Sequence, residues 1–191
     1  QFMDRLNIDK AVVCGLSMGG YIALNVCKRY AERLEALILC DTQCIADSPE
    51  GKAKRYKLID EIALNGTENF TEGFIKNVFH KDSLTGKKEV VEELRKVIVS
   101  NSKHVITTGL KALAERSETC SVLNKITVPT LIICGREDKV TTLAQSEFMN
   151  QNIEGSILRI IDDAGHVSNL EQADEFNKHL QDFLKKLNGL S

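Results

Sequence analysis

The stretch Ala11 to Val26, AVVCGLSMGGYIALNV, constrains this chain more than any other. A β-branched apolar run, AVVCG, stops at Ser17, and helical spacing begins at once with Ile22, Val26 and Tyr30. A buried-type strand that turns directly into a helix belongs to a sheet with helices packed on both faces. Ser17 sits at the turn between Gly15 and Gly19, with Gly20 next. Small residues two places either side let the chain pass close to itself, and the turn lifts the hydroxyl clear of the sheet. The first amides of the following helix point at the place where negative charge would develop. Two readings stay open from these residues alone, a nucleophile or a plain tight turn. No G-K-[ST] follows to favour a phosphate cradle.

The remaining pattern supplies the fold. LEALILC, residues 34–40, reads as a second buried strand. Residues 43–126 hold no convincing strand and four helical stretches instead. The first starts at Ser48-Pro49, a capping residue followed by a first-turn proline, carries Tyr56, Ile59 and Ala63 on its apolar side, and stops at Gly66. The second carries Phe70, Phe74, Val78 and Phe79. The others span 87–100, with Val91, Leu94 and Val97 or Ile98, and 103–116, with Ile106, Leu110 and Leu113. Strand signals resume at TLIICG, 130–135, and SILRII, 156–161, with a helix near 142–152 between them. Phe176, Leu180, Phe183, Leu184 and Leu187 then mark a closing amphipathic helix. This alternation predicts an α/β fold with a mostly parallel sheet. Its core is residues 1–42 and 127–191, and 43–126 forms a helical insertion.

Two further residues join Ser17. Asp138, in CGREDKV, follows a buried-type strand at the carboxyl end of the sheet, where open α/β sheets place their sites. Glu137 and Asp41 compete with it as acids. His166, in DDAGHVSNLEQ, follows the last strand and precedes the closing helix, where a base can reach a serine hydroxyl. His80, His104 and His179 lie in charged helical surroundings and read as surface residues. The order Ser, Asp, His, each after a strand, matches a catalytic triad of nucleophile, orienting acid and base.

Composition narrows the partners. A net charge of −2, with both signs interspersed, offers no basic field for a nucleic acid. The longest apolar runs are far shorter than the ~20 residues of a membrane span, and no signal-peptide pattern opens the chain. The expected location is therefore cytoplasmic. All six cysteines read as small buried hydrophobes in a reducing compartment, and no metal spacing occurs. No cofactor or metal is expected.

VVCGLSMGGYIAL, LEALILCDT, VPTLIICGREDKVT and DDAGHVSNLEQADEFN together resemble the α/β-hydrolase superfamily. The likeness is to the group of small capped esterases, oxoadipate enol-lactonases and cofactor-free haloperoxidases. It covers nearly the whole chain and corresponds to the C-terminal two-thirds of such proteins, with strands equivalent to 5–8 of the family sheet. The resemblance implies a serine hydrolase acting through an acyl-enzyme on a small carboxylic ester, lactone or thioester. The alternatives are cofactor-free perhydrolysis, C–C bond hydrolysis, or a non-catalytic ligand-binding relative or inactive fragment. It implies Ser17, Asp138 and His166 as the triad, the Met18 amide as one oxyanion donor, and 43–126 as a cap with Phe70, Phe74 and Phe79 as candidate pocket residues. The family's second oxyanion donor lies in a His-Gly-type loop with no counterpart in this chain. With the family's N-terminal strands absent, strand 11–15 would pair with a missing N-terminal segment or with a second copy of the chain.

Overall fold

The computed structural model describes residues 1–187 and 189. Its elements are α1 (Phe2–Arg5), β1 (Ala11–Leu16), α2 (Met18–Tyr30), β2 (Leu34–Cys40), α3 (Pro49–Asn65), α4 (Glu68–Val78) and α5 (Ser83–Gly86). There follow α6 (Lys88–Ser100), α7 (Lys103–Glu115), β3 (Thr130–Gly135), α8 (Leu143–Asn152), β4 (Ile157–Ile161), α9 (Ser168–Glu171) and α10 (Ala173–Leu187). The four strands form one parallel sheet in the order β1-β2-β3-β4. This is the α/β architecture that the alternation of patterns predicts.

Parallel strands need covering on both faces, and the two faces have separate cores. Leu37, Leu39 and Ile132 point to one face, where they meet Ala23, Leu24, Leu123, Met149 and Ile153. Ile38, Cys40, Leu131 and Ile133 point to the other, where Phe176 and Phe183 of α10 cover them. A third cluster holds Ile75, Val78 and Phe79 of the α4 end against Val91 and Val167. β2 and β3 are buried almost throughout. β1 pairs with β2 alone among the described residues, so its Cys14 is exposed and Val12 and Val13 are half-buried.

The helices between β2 and β3 are rooted firmly. Ser48 accepts from the Gly51 amide and caps α3 behind Pro49, as its sequence predicts. Cys44 and Cys120 form a disulfide across 76 positions of sequence, and the Thr119 amide donates to the Cys44 carbonyl beside it. Asp47 binds both Arg55 and Arg116, and the Arg116 guanidinium lies 4.5 Å from the centre of the Tyr21 ring on α2.

Several expectations need correction. Cys44 and Cys120 are bonded rather than free, because the fold brings together two residues whose spacing carries no pairing signal. Cys14 is exposed because it lies on an edge strand. α2 buries Gly20, Ala23, Leu24 and Cys27, while Ile22 and Tyr30 are exposed; its small residues face the sheet because backbones approach closely there. Tyr56 is largely exposed, and α3 turns Ile62 inward instead. His80 is buried at the end of α4, unlike exposed His104 and half-buried His179.

Candidate active site

The turn at Ser17 is strained. Its φ is +50°, in the left-handed region that a residue with a side chain seldom occupies, at a cost of about 1–3 kcal/mol. The surroundings enforce it. The Ser17 amide donates to the Cys40 carbonyl, and its own carbonyl accepts from Thr42 Oγ1 at 2.7 Å. A Cβ on Gly15 would stand 2.3 Å from the Gly19 carbonyl oxygen, and one on Gly20 would strike the Thr42 side chain at 2.3 Å. A Cβ on Gly19 meets nothing within 4 Å. Gly15 and Gly20, not Gly15 and Gly19, are therefore the positions where close approach excludes a side chain. Met18 follows as the first residue of α2, so its amide has no acceptor one helical turn back.

The fold brings three of the candidate residues into one chain of bonds. Ser17 Oγ lies 2.7 Å from His166 Nε2, and His166 Nδ1 lies 2.8 Å from Asp138 Oδ2. Ser17 follows β1, Asp138 follows β3 and His166 follows β4, all at the carboxyl ends of parallel strands. His166 and Asp138 are buried, and Ser17 is half-buried. Asp138 is fully saturated. Its Oδ1 accepts from the Val140 and Thr141 amides, and its Oδ2 accepts from Thr141 Oγ1 at 2.7 Å. Burial would raise its pKa, but the histidine and the Thr141 donors outweigh that and hold it below the ordinary carboxylate range. Such a carboxylate stays ionised and can fix one imidazole tautomer, leaving Nε2 to accept a proton from the serine.

The competing acids are placed elsewhere. Asp41, also at positive φ, accepts from the Gly135 amide and from Ser168 N and Oγ. Burial pushes its carboxyl up to about 7 despite those donors. Glu137 makes no bond to His166, and its Oε2 is buried without a partner. Thr141 and Glu171 were missed by sequence reasoning. Thr141 lies three residues after Asp138, a common spacing for a side chain that caps a carboxylate turn, and that signal could have found it.

The three phenylalanines do not gather at one point. Phe70 and Phe74 stack on each other along α4 at 5.7 Å, with Phe74 partly exposed, while Phe79 is buried in the cluster with Val167. A cleft of about 420 Å³, lined by Cys27, Lys28, Leu34, Val122 and Lys125, opens at the amino end of β2, away from Ser17. Among the described residues no group of His, Cys, Asp and Glu could hold a metal ion, and no helix is long and apolar enough to cross a membrane.

A parallel sheet that presents a strained serine on a strand-to-helix turn, with a buried histidine bonded to it, defines a hydrolase of the α/β class. The chain belongs to the alpha/beta hydrolase fold family, whose model matches residues 1–173. It is similar to 3-oxoadipate enol-lactonase 2 of Acinetobacter baylyi, with 30% identity over 192 residues, 97% of this chain and 68% of that protein. The 2-hydroxy-6-oxo-6-phenylhexa-2,4-dienoate hydrolase of Comamonas testosteroni is 28% identical over 96% of this chain and 66% of its own length. The structure of a thermophilic esterase from Thermogutta terrifontis, with malate bound, superposes with a TM-score of 0.92 at 30% identity, covering 97% of this chain and 69% of that one.

Proposed function

We propose that the chain carries the catalytic triad of a serine hydrolase for small carboxylic esters, lactones or thioesters. The observation that carries this reading is the unbroken path Ser17–His166–Asp138 at three strand ends. Ser17 Oγ attacks the acyl carbon while His166 Nε2 takes its proton, and His166 later returns that proton to the leaving oxygen. Asp138 stabilises the imidazolium, and the Met18 amide, first in α2, donates to the developing oxyanion. His166 then takes a proton from the attacking water and passes it to Ser17 Oγ as the acid leaves. Residues 43–126 act as the cap over this site, on a core of 1–42 and 127–191. The likeness to an enol-lactonase and an esterase supports the ester and lactone class. The Comamonas hydrolase supports a second reading, C–C bond hydrolysis by the same three residues. The cytoplasmic setting expected from the sequence remains part of the proposal, and there the Cys44–Cys120 bond would be open to reduction.

The test is a fluorophosphonate probe followed by peptide mapping, beside turnover of a short-chain p-nitrophenyl ester. Label on Ser17, and loss of both label and turnover in Ser17→Ala, are expected. Turnover unchanged by Ser17→Ala overturns the assignment.

A further inference from the structure

We infer that Glu171 is a positioning residue for His166, and that it works by clasping the histidine loop to the end of α4. The inference rests on the reading of His166 as the base. Glu171 is almost fully buried, and its carboxylate is divided between two segments far apart in sequence. Oε1 accepts from the Gly165 amide at 2.6 Å, next to the histidine, and Oε2 accepts from the His80 amide at 2.7 Å, just past α4. Beside it the His166 amide donates to the Val78 carbonyl at 2.7 Å. The two backbones touch. A Cβ on Gly165 would lie 2.6 Å from the Val78 carbonyl oxygen and 2.9 Å from the His80 nitrogen. Val167 completes the join by packing with Ile75, Val78 and Phe79.

The His166 backbone is thus held on both sides. Asp41 grips Ser168 from the sheet, and Glu171 grips Gly165 from the α4 end. A base must stand within hydrogen-bond reach, about 2.6–3.2 Å, of the hydroxyl it deprotonates, so a loop free to drift would lose rate before it lost substrate affinity. The clasp makes the α4 end and the base one mechanical unit. A shift of the inserted helices at residues 78–80 would therefore move His166.

Both partners of Glu171 are N–H donors, so glutamine turns its amide donor toward one of them and loses that bond. Aspartate keeps both acceptors on a shorter arm. In the full-length protein, Glu171→Gln is expected to cut kcat at least ten-fold with KM within two-fold. The rate constant of fluorophosphonate labelling should fall in parallel, while the fraction of chains finally labelled stays complete. Glu171→Asp should recover part of the rate. A purely structural role would do the reverse, lowering the labelled fraction and leaving the rate constant of the folded chains unchanged, and that result overturns the inference. So does a native rate in Glu171→Gln when His166→Ala is slow. A native labelling rate in His166→Ala instead overturns the reading of His166 itself. In a His166→Ala background, Glu171→Gln should add no further loss, and a full second loss also overturns the proposal.

Discussion

Opening the Cys44–Cys120 bond should be the largest single covalent perturbation of stability in this chain. The bond closes a loop across 76 sequence positions that contains all five α-helices between β2 and β3, α3 to α7. In the chain-entropy account a loop of that size restricts the unfolded state by about 15 cal/mol/K, or roughly 4.5 kcal/mol at 25 °C. For a chain of this length, that corresponds to a fall in Tm of roughly 9–18 °C. Two perturbations separate the causes. Reduction of the wild type leaves both sulfur atoms in place, so it reads the loop term alone. The Cys44→Ala/Cys120→Ala double variant also removes the packing of Cys44 against the core of Ala23, Leu24 and Leu123. Urea unfolding followed by circular dichroism should therefore show a loss of several kcal/mol on reduction and a somewhat larger one in the variant. A thiol count in denaturant without reductant should give four, the number of free cysteines. Six thiols, or a loss below about 1 kcal/mol on reduction, would refute the reasoning.

Asp138→Asn should keep the fold but leave the wrong imidazole tautomer facing Ser17, lowering kcat by roughly 10³–10⁴; steady-state kinetics on the p-nitrophenyl ester checks it, and a loss under ten-fold sinks it. Gly15→Ala places a Cβ 2.3 Å from the Gly19 carbonyl oxygen, so the elbow must move, and a loss of roughly 3 kcal/mol or more is expected in urea unfolding, together with loss of probe labelling. Asp41 sets a pH dependence whose sign follows from its raised pKa. Because its carboxyl titrates near 7 in the fold and lower in the unfolded chain, the native state binds the extra proton in between. Stability from this group is complete below pH 4 and is lost as pH rises toward 7, and Asp41→Asn should flatten that slope. Asp138 works the opposite way, since its depressed pKa gives stability that is lost as pH falls. Identical slopes in Asp41→Asn and wild type across pH 4–7 would refute the assignment to Asp41.

The parallel sheet and most helices were legible because their signals are local. β3 is buried at every position and β2 at every position but Glu35, and α10 repeats its apolar residues at helical spacing over four turns. α2 was legible as a helix but not in its orientation. Ile22 and Tyr30 carry the larger side chains, yet Gly20, Ala23 and Leu24 face inward, because the elbow sets the start of α2 so close to Thr42 that only a glycine fits at position 20. Position in the turn outweighed the apolar period. The same limit hid the Cys44–Cys120 bond, which depends on where two distant loops end and on nothing near either cysteine.

The candidate site divides along the same line. Ser17, Asp138 and His166 each stand just after a strand, so a strand pattern followed by a reactive residue is enough to find them. The groups that hold them lie outside that pattern. Thr141 is a helix-entry residue, and Asp41 read as a rival acid although it binds Ser168 and Gly135 rather than the imidazole. Glu171 lies inside the short helix α9, where a sequence reading takes an acid for a solvated side chain. Its burial makes sense only once His80 and Gly165 are seen to bring it two orphan amides from segments 85 residues apart. A buried carboxylate with two unmatched donors is stable where the same group facing apolar side chains would not be. The carboxylates at 41 and 171 are thus explained by the backbone they satisfy, and each holds the segment around His166 with one oxygen, at Ser168 and at Gly165, while the other oxygen holds Gly135 or His80.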